Sequence, residues 1–268
     1  MKRSGGSRVA RAPGLYDRVI AITRGEQEAR EFSLLVKAEG GTAVAVPAIE
    51  IVPAGPIAGH EFIALLGEKK HDYCAFMSAQ AVRVLFSLAD VRAALMPTGV
   101  IAVGPRTKQE LEEHGVSVDM MPDTYSSVGL ADMLAGRRPK GKKIIIPRSG
   151  EANEFAAKAL SDLGMEVDEV LLYTVRTGSL TPAWQEFQKM LAAGIVDVVV
   201  FTSASNVRAF FELMARMEAS LDNVQAISIG PFTSAELEKR GMKYREAQEH
   251  TIEGTVRAAK ELFLKSSR

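Results

Sequence analysis

Three sequence segments occur twice in this chain, in the same order, and this duplication constrains the fold more than any other feature. The matched pairs are 19–44 with 143–168, 76–86 with 201–211, and 102–119 with 228–245, offset by 124, 125 and 126 residues. Such a period is far longer than the 20–50 residues of solenoid repeats. The sequence therefore predicts two similar domains that descend from one ancestor.

Short apolar segments of strand character alternate with amphipathic helical patterns in both copies. The predicted strands are 18–23, 42–47, 73–78, 100–104, 143–148, 169–175, 196–203 and 226–230. Strands that are apolar on both faces and alternate with helices indicate an α/β fold, with parallel sheets covered by helices on both sides. Glycines mark the expected helix C-termini and prolines the first helical turns: Gly40, Gly115, Gly164, Gly241, Pro105 and Pro231.

The domain boundaries follow from two extended segments, 47–56 and 170–179, which occupy corresponding places in the two copies. If the chain crosses between lobes at both, residues 1–48 and 175–268 form a discontinuous lobe 1. Residues 49–174 then form lobe 2, with crossover linkers at its ends. The alternative is a bead-like split near residue 125. Two such lobes would face each other across a cleft, where small ligands usually bind, and paired crossovers would serve as a hinge.

The composition argues against several classes of partner. Lys plus Arg and Asp plus Glu number 33 each, so the molecule has no overall field that would attract nucleic acid or a membrane surface. No run of 18 apolar residues is present. The first 17 residues are basic and lack the apolar core of a signal peptide, which favours a flexible tail, with a transit peptide as the alternative.

Cysteine and histidine usage gives no indication of a metal site or a thiol nucleophile. Cys74 is the single cysteine and lies in an apolar run, which is typical of an inert buried thiol in a reducing compartment. The four histidines have no metal-ligand spacing with each other or with Cys74. The motifs GxGxxG after a strand, GxxxxGK[ST] and GxSxG are also absent, which argues against a nucleotide-driven enzyme or a serine hydrolase.

Small hydroxyl residues occur where predicted strands meet helices, and these junctions are candidate anion sites. A helix N-terminus offers unpaired N–H groups and the positive end of the helix dipole, which suit a carboxylate or phosphate. Plain helix capping by serine is an equally good interpretation for each residue alone. The candidates here are Ser78 and Ala79 in the first copy and Ser203, Ala204 and Asn206 in the second.

The GPxT motifs form a second strand–helix junction in each copy, at Gly104, Thr107, Gly230 and Thr233. Glycine would let a ligand approach the backbone, and threonine could donate a hydrogen bond to an anion. Helix capping is again the alternative interpretation of these residues. All four junctions lie at the carboxyl ends of parallel strands, where open α/β sheets bind ligands.

Three further side chains are candidates near the same strand ends. Arg24 and Arg148 follow the first strand of each copy and could pair with a carboxylate, or could form ordinary surface salt bridges. Tyr173 has no counterpart in the first copy, where Ile49 stands. A phenol there could donate a proton to a leaving group, although a half-buried strand tyrosine is the better interpretation from the residues alone.

Together these segments resemble the uroporphyrinogen-III synthase (HemD) family. The matching elements cover residues 18 to 260 in family order. They are ITRGEQEAREFSLLVKAEGG, the P-x-I-E-I segment at 47–51, AVGPRTKQELEEHG, the PRSGEANEF block that runs on to VLLYTVRT, FTSASNV, and SIGPFTSAELEKRG followed by TIEGTV.

The resemblance implies two flavodoxin-like lobes with parallel sheets, joined by a two-stranded linker. It implies cyclisation of hydroxymethylbilane to uroporphyrinogen III with loss of water, inversion of ring D through a spiro intermediate, and no cofactor. In this family, backbone N–H groups bind the substrate carboxylates, and shaping of the substrate matters more than any single group. The eight carboxylates of such a substrate suit a neutral protein with local donors at helix N-termini.

The resemblance also assigns residues. The family's tyrosine at the second crossover falls on Tyr173, and its hydroxyls fall on Ser78, Thr107, Ser203 and Thr233. This chain departs from the pattern at Met77, where the first-copy motif commonly has threonine, as in Thr202.

The resemblance and the neutral composition together predict a cytoplasmic monomer that contacts hydroxymethylbilane synthase transiently and binds neither nucleic acid nor membrane. The rival function is a non-catalytic two-lobed protein that binds or senses a small molecule.

Overall fold

The computed structural model describes residues 14–25, 29–150 and 154–264. The strands are β1 Val19–Ile22, β2 Thr42–Ala45, β3 Ile49–Pro53, β4 Tyr73–Phe76, β5 Gly99–Ala102, β6 Lys143–Ser149, β7 Glu166–Thr177, β8 Val198–Phe201, β9 Gln225–Ser228 and β10 Tyr244–Glu246. The helices are α1 Arg30–Ala38, α2 Pro56–Lys69, α3 Ala79–Leu88, α4 Arg92–Leu95, α5 Pro105–Glu113, α6 Ser127–Ala135, α7 Phe155–Asp162, α8 Pro182–Ala192, α9 Ala204–Arg216, α10 Pro231–Glu238 and α11 Ile252–Leu264. Over these ranges, none of the helices has the length and apolarity needed to cross a bilayer.

The chain divides into two compact units. Unit 1 comprises residues 1–50 and 176–268, and unit 2 comprises residues 51–175. The sheet of unit 1 has the order β2-β1-β8-β9-β10, and each neighbouring pair is parallel. Counted along the chain within the unit, this is the 2-1-3-4-5 order of flavodoxin-like sheets.

The second sheet has the order β3-β7-β6-β4-β5, and the pairs from β7 to β5 are parallel. The sequence repeat matches β6, β7, β4 and β5 to β1, β2, β8 and β9, so equivalent strands lie in the same order in the two sheets. At the position of β10, unit 2 has only an isolated parallel bridge between Ile101 and Met120. β10 was not predicted from the sequence, because it is three residues long and carries two charged residues.

Both sheets are covered on both faces, as the apolar strands predict. Within β1, Ala21 packs on one side with Trp184 and Phe210. Ile20 and Ile22 pack on the other side, against helices α1 and α11. Unit 2 repeats this arrangement, with the α2, α3 and α5 side chains in one cluster and those of α6 and α7 in another. Alternate residues of each strand therefore enter different cores, which is the pattern of a buried parallel sheet.

The two copies differ where the chain passes from one unit to the other. In the first copy the chain breaks between β2 and β3, at Pro47, whereas β7 runs unbroken through the equivalent Leu171. Proline has no N–H to donate to a neighbouring strand, which accounts for the break. β3 and β7 are neighbours in this sheet. They are antiparallel, because Ala54 N donates to Leu172 O and Gly178 N donates to Ala48 O, so a later residue of one segment pairs with an earlier residue of the other.

The predicted helix ends are confirmed. Each proline occupies the first position of its helix, at α5 and α10. The four glycines that follow helices all have positive φ, between 64° and 82°, which glycine adopts without steric cost: Gly40, Gly115, Gly164 and Gly241.

The predicted flexible tail of residues 1–17 needs a correction at its end. Residues 1–13 lie outside the described part of the chain, but residues 14–17 form a turn in which the Leu15 carbonyl accepts a hydrogen bond from Arg18 N. Leu15 is fully buried and packs with Phe32 and Val36 of α1. Because burial of one leucine contributes about 1.5–3 kcal/mol, this segment is held to unit 1.

In each sheet, an equivalent aspartate holds two neighbouring strands together at their amino ends. In unit 1, Asp197 accepts hydrogen bonds from Arg18 Nη1 and Val19 N at 2.9 and 3.0 Å. In unit 2, Asp72, which is offset by 125 residues, accepts from Lys142 Nζ and Lys143 N at 2.6 and 2.9 Å. Each aspartate precedes one central strand and binds the start of its neighbour, so it fixes the register of the pair.

The unit-2 aspartate should make stability depend on pH. Burial alone would raise the pKa of Asp72, but the hydrogen bonds from Lys142 and the Lys143 amide outweigh it and lower the pKa below its ordinary value. A depressed pKa means that the stabilisation is complete above about pH 4, the pKa of an unfolded aspartate, and is lost as the pH falls through the folded value.

We therefore expect Asp72→Asn to lower the free energy of unfolding by about 1 kcal/mol at pH 7, and by progressively less below about pH 4. Urea unfolding across this range measures both effects. Asp90→Asn is the control, because Asp90 is paired with Arg92 but 61% exposed, where solvent screens the pair. A difference between Asp72→Asn and wild type that is constant with pH would contradict the account.

Candidate functional site

The first helical turn after β4 and after β8 is built in the same way in the two units. Ser78 is the N-cap of α3, and its Oγ accepts a hydrogen bond from Ala81 N at 3.2 Å. Ser203 is the N-cap of α9 and accepts from Asn206 N at 3.2 Å. Capping by both serines is thus observed, and it satisfies one N–H of each first turn. The N–H groups of the first two helical residues have no partner within the helix, so this turn keeps donors for a ligand.

The residues that follow these caps leave the first turn accessible in both units. Ala79 and Ala204 occupy the first position of their helices and are partly exposed. Their methyl groups are the smallest side chains that still favour a helix. A ligand carboxylate can therefore come close to the backbone of residues 79–80 and 204–205.

Asn206 adds a buried polar group in unit 1. Its side chain is 4% exposed, and its Nδ2 donates to Ser203 Oγ at 2.8 Å. Its Oδ1 has no hydrogen-bond partner among the described residues. Buried amide oxygens are rarely left unpaired, so this atom marks the α9 junction as one that a polar ligand or water would complete.

The GPxT junctions differ from the sequence-based expectation. Gly104 and Gly230 are the N-caps of α5 and α10, but both are buried. Thr107 and Thr233 are each 3% exposed, and Thr107 Oγ1 donates to the Val103 carbonyl at 3.4 Å. The threonine side chains are thus directed into the protein.

Two ring side chains that the sequence analysis did not select cover these glycines. A Cβ built on Gly104 would lie 3.5 Å from Tyr125 Cβ, an ordinary van der Waals contact, and one built on Gly230 would lie only 3.2 Å from Cγ of the His250 ring. Tyr125 and His250 are offset by 125 residues, so they are equivalent members of the repeat. Extension of the repeat past residue 119 would have found them. Gly230 provides room for the His250 ring, whereas glycine at position 104 is favoured by its φ of 107°. Both glycines are buried in this structure.

The two predicted arginines have different partners. Arg24 follows β1, and its Nε donates to Thr202 Oγ1 at 2.8 Å, which places it beside the α9 junction. Unit 2 has Met77 at the position of Thr202, and a thioether is a poor acceptor. Arg148 instead donates to Glu169 Oε1 of β7 at 2.7 Å and to the Ser149 carbonyl. The ordinary salt bridge considered for Arg148 is therefore observed.

Tyr173 lies within β7, opposite Ser149 of β6, at an irregularity in the strand register. Its side chain is 6% exposed and belongs to a core cluster of unit 2. Its backbone carbonyl accepts a hydrogen bond from Gly150 N at 2.9 Å. Tyr173 is thus held at the carboxyl end of β6, more deeply than the half-buried strand tyrosine considered from the sequence.

The side chains in the described part of the chain offer neither a cluster of metal ligands nor a reactive thiol. No group of three or more His, Cys, Asp or Glu side chains that could hold a metal ion occurs in this part of the chain. Cys74 is buried in β4, and burial raises the pKa of its thiol, which disfavours the reactive thiolate.

Comparison with known proteins identifies the family. A family model described as "Uroporphyrinogen-III synthase HemD" matches residues 30–257. The uroporphyrinogen-III synthase of Chlorobaculum parvum is 31% identical over 84% of this chain and 91% of its own length. A putative uroporphyrinogen-III synthase of Methanothermobacter thermautotrophicus is 29% identical, with coverage of 89% and 96%.

Solved structures agree on the fold. A uroporphyrinogen-III synthetase from Helicobacter pylori superposes with a TM-score of 0.62 at 18% identity, covering 91% of this chain and 99% of the other. A mutant uroporphyrinogen III synthase from Thermus thermophilus gives a TM-score of 0.58 at 20% identity, with coverage of 93% and 100%. At these identities the structures support the fold alone. The family model and the Chlorobaculum relative, which each span most of the sequence, establish that the chain belongs to the uroporphyrinogen-III synthase (HemD) family.

Proposed function

We propose that this protein converts hydroxymethylbilane to uroporphyrinogen III in tetrapyrrole biosynthesis, as a hydro-lyase of the haem pathway. The observation that carries the proposal is the family match over residues 30–257. The site geometry supports it, because each unit has an accessible helix N-terminus at the carboxyl edge of its sheet, which suits a substrate with many carboxylates.

Substrate binding in this proposal depends on backbone donors. The N–H groups of residues 79–80 and 204–205 bind carboxylates, and the capping serines hold these turns in position. Arg24 adds a cationic donor at the α9 junction, which it reaches through Thr202. The formal net charge of the chain is zero, so attraction of the substrate is local to these groups.

The chemical step needs a proton for the departing hydroxyl group. The hydroxyl of the ring A end takes this proton and leaves as water, and the substituted position of ring D attacks the resulting cationic methylene carbon to form a spiro intermediate. The bond from that position to the ring C methylene then breaks and re-forms at the free α position of ring D, and the proton lost there restores the donor. We assign the proton donor as Tyr173, at the carboxyl end of the unit-2 sheet. Its burial keeps the phenol away from bulk water. A hydrogen bond from the phenol to the leaving oxygen is stronger in this buried environment than in water.

The proposal includes a monomer that acts in the cytoplasm and meets hydroxymethylbilane synthase transiently to receive its unstable substrate. The single buried Cys74 is compatible with a reducing compartment. Unit 1 and unit 2 each supply a helix N-terminus, so one copy of the chain has every group that the proposal uses.

The rival function is ligand binding without chemistry, and a coupled assay separates the two. Porphobilinogen is converted by hydroxymethylbilane synthase in the presence or absence of this protein, and the isomers are resolved after oxidation. We expect type III product well above the spontaneous type I background. Unchanged type I product would refute the enzymatic proposal and favour a binding or sensor protein.

Tyr173→Phe should lower turnover by about 10- to 1000-fold, because general acid catalysis contributes part of the barrier. Turnover in the coupled assay and the urea midpoint measure activity and folding separately. Tyr73→Phe is the matched control, since Tyr73 is a strand tyrosine of the same unit at the start of β4. Unchanged turnover in Tyr173→Phe would assign Tyr173 a structural role only.

Ser203→Ala should cost only about 1–2 kcal/mol in kcat/KM, because the backbone donors of α9 remain. Ala204→Leu should lower kcat/KM more than Ser203→Ala does, by about 100-fold, since the larger side chain obstructs the approach to these donors. Steady-state kinetics on both variants decide between backbone and side-chain binding. An inactive serine variant beside an active leucine variant would show that Ser203 acts through its hydroxyl.

A further inference from the structure

Tyr125 and His250 are built into the two units by the same local structure. Each is the central residue of a tight turn, closed by a 2.8 Å hydrogen bond from Ser126 N to Thr124 O in one unit and from Thr251 N to Glu249 O in the other. The next residue then caps a helix: Ser126 Oγ accepts from Gly129 N, and Thr251 Oγ1 accepts from Gly254 N.

Glycine is required at the third position of both of these helices. A Cβ built on Gly129 would lie 2.0 Å from the Thr124 carbonyl oxygen, and one built on Gly254 would lie 2.0 Å from the Glu249 carbonyl oxygen. Such contacts are far below any van der Waals distance, so neither turn could form with a larger residue. In each unit the turn, the cap and the helical glycine thus hold one ring residue beside the GPxT junction.

The rings contact buried backbone yet remain accessible to solvent. Tyr125 is exposed over 57% of the residue, and His250 over 57% of its side chain. The His250 ring therefore packs on Gly230, and Tyr125 packs beside Gly104 through its Cβ and Cγ, while the rest of each side chain faces solvent at the carboxyl edge of the sheet. Both carry a polar atom that can donate a hydrogen bond, the phenol O–H or an imidazole N–H.

A hydrogen-bonded group of side chains holds the carboxylate that lies beside His250 in unit 1. His250 Nε2 lies 3.7 Å from Glu246 Oε1, and Glu246 Oε2 accepts a hydrogen bond from Ser234 Oγ. Ser234 Oγ in turn lies 2.6 Å from Ser228 Oγ, at the end of β9. The serines are buried, so the carboxylate next to His250 is held by the protein interior.

We propose that Tyr125 and His250 are substrate-binding residues, which donate hydrogen bonds to substrate carboxylates at the GPxT junctions of the two units. This inference depends on the proposed function and refines it. At the Ser78 and Ser203 junctions the carboxylates meet the backbone, whereas at the GPxT junctions a ring covers the glycine and supplies the donor.

Paired variants of each residue test the proposal by separating the donor from the bulk of the side chain. His250→Leu removes the donor and His250→Gln retains one, while Tyr125→Phe removes only the hydroxyl. We expect His250→Leu and Tyr125→Phe each to raise KM for hydroxymethylbilane about tenfold with kcat little changed, the pattern of lost substrate binding. His250→Gln should keep KM within about threefold of wild type.

The controls are His60→Leu, at an exposed position of α2, and Tyr16→Phe, at an exposed position in the turn before β1. Formation of type III product by the wild-type protein is established first. A failure of the proposed function is then distinguished from a failure of the proposed substrate-binding role of Tyr125 and His250. With an active wild type, unchanged KM in His250→Leu and Tyr125→Phe would overturn the proposal. Equal KM values for His250→Leu and His250→Gln, or a fall in kcat alone, would also overturn it.

Discussion

Parallel pairing of β1 with β8 is the interaction on which unit 1 depends. These strands are separated by all of unit 2 in the sequence, yet Ile22 lies opposite Val200 in the central pair of the sheet. Asp197 fixes the pair at its amino end by binding Arg18 and the Val19 amide. Because the strands are parallel, their carboxyl ends share one edge, which brings Arg24 to Thr202 and the α9 N-terminus. The candidate site is therefore a consequence of the register.

The two units share the order of their four equivalent strands, and they differ at particular residues beside the junctions. Thr202 accepts from Arg24, whereas the equivalent Met77 is a poor acceptor and Arg148 pairs with Glu169. Pro47 interrupts the first copy where β7 continues through Leu171 and carries Tyr173 two residues later. In the proposed reaction, unit 1 thus has the stronger side-chain contribution to anion binding, and unit 2 supplies the acid.

The sequence predicted the fold class, the central strands and the helix ends, because these follow from apolar runs and from glycine and proline chemistry. It also predicted Ser78 and Ser203 at helix N-termini, since capping is local. Burial of the GPxT threonines and the contact of Tyr125 and His250 with Gly104 and Gly230 could not be read from spacing. They depend on how a distant turn packs on the junction. The anchoring of Leu15 was missed for the same reason, because a basic, glycine-rich segment precedes a single buried leucine.

Amide hydrogen exchange, with and without uroporphyrinogen III kept reduced, tests the central claim most directly. The claim is that the backbone at the carboxyl edges of both sheets binds the carboxylates. It predicts slower exchange on binding in the first turns of α3 and α9, at residues 79–80 and 204–205. Exchange at the amino ends of the strands, around Asp72 and Asp197, should not change. Unchanged exchange in both first turns at saturating ligand would contradict the account.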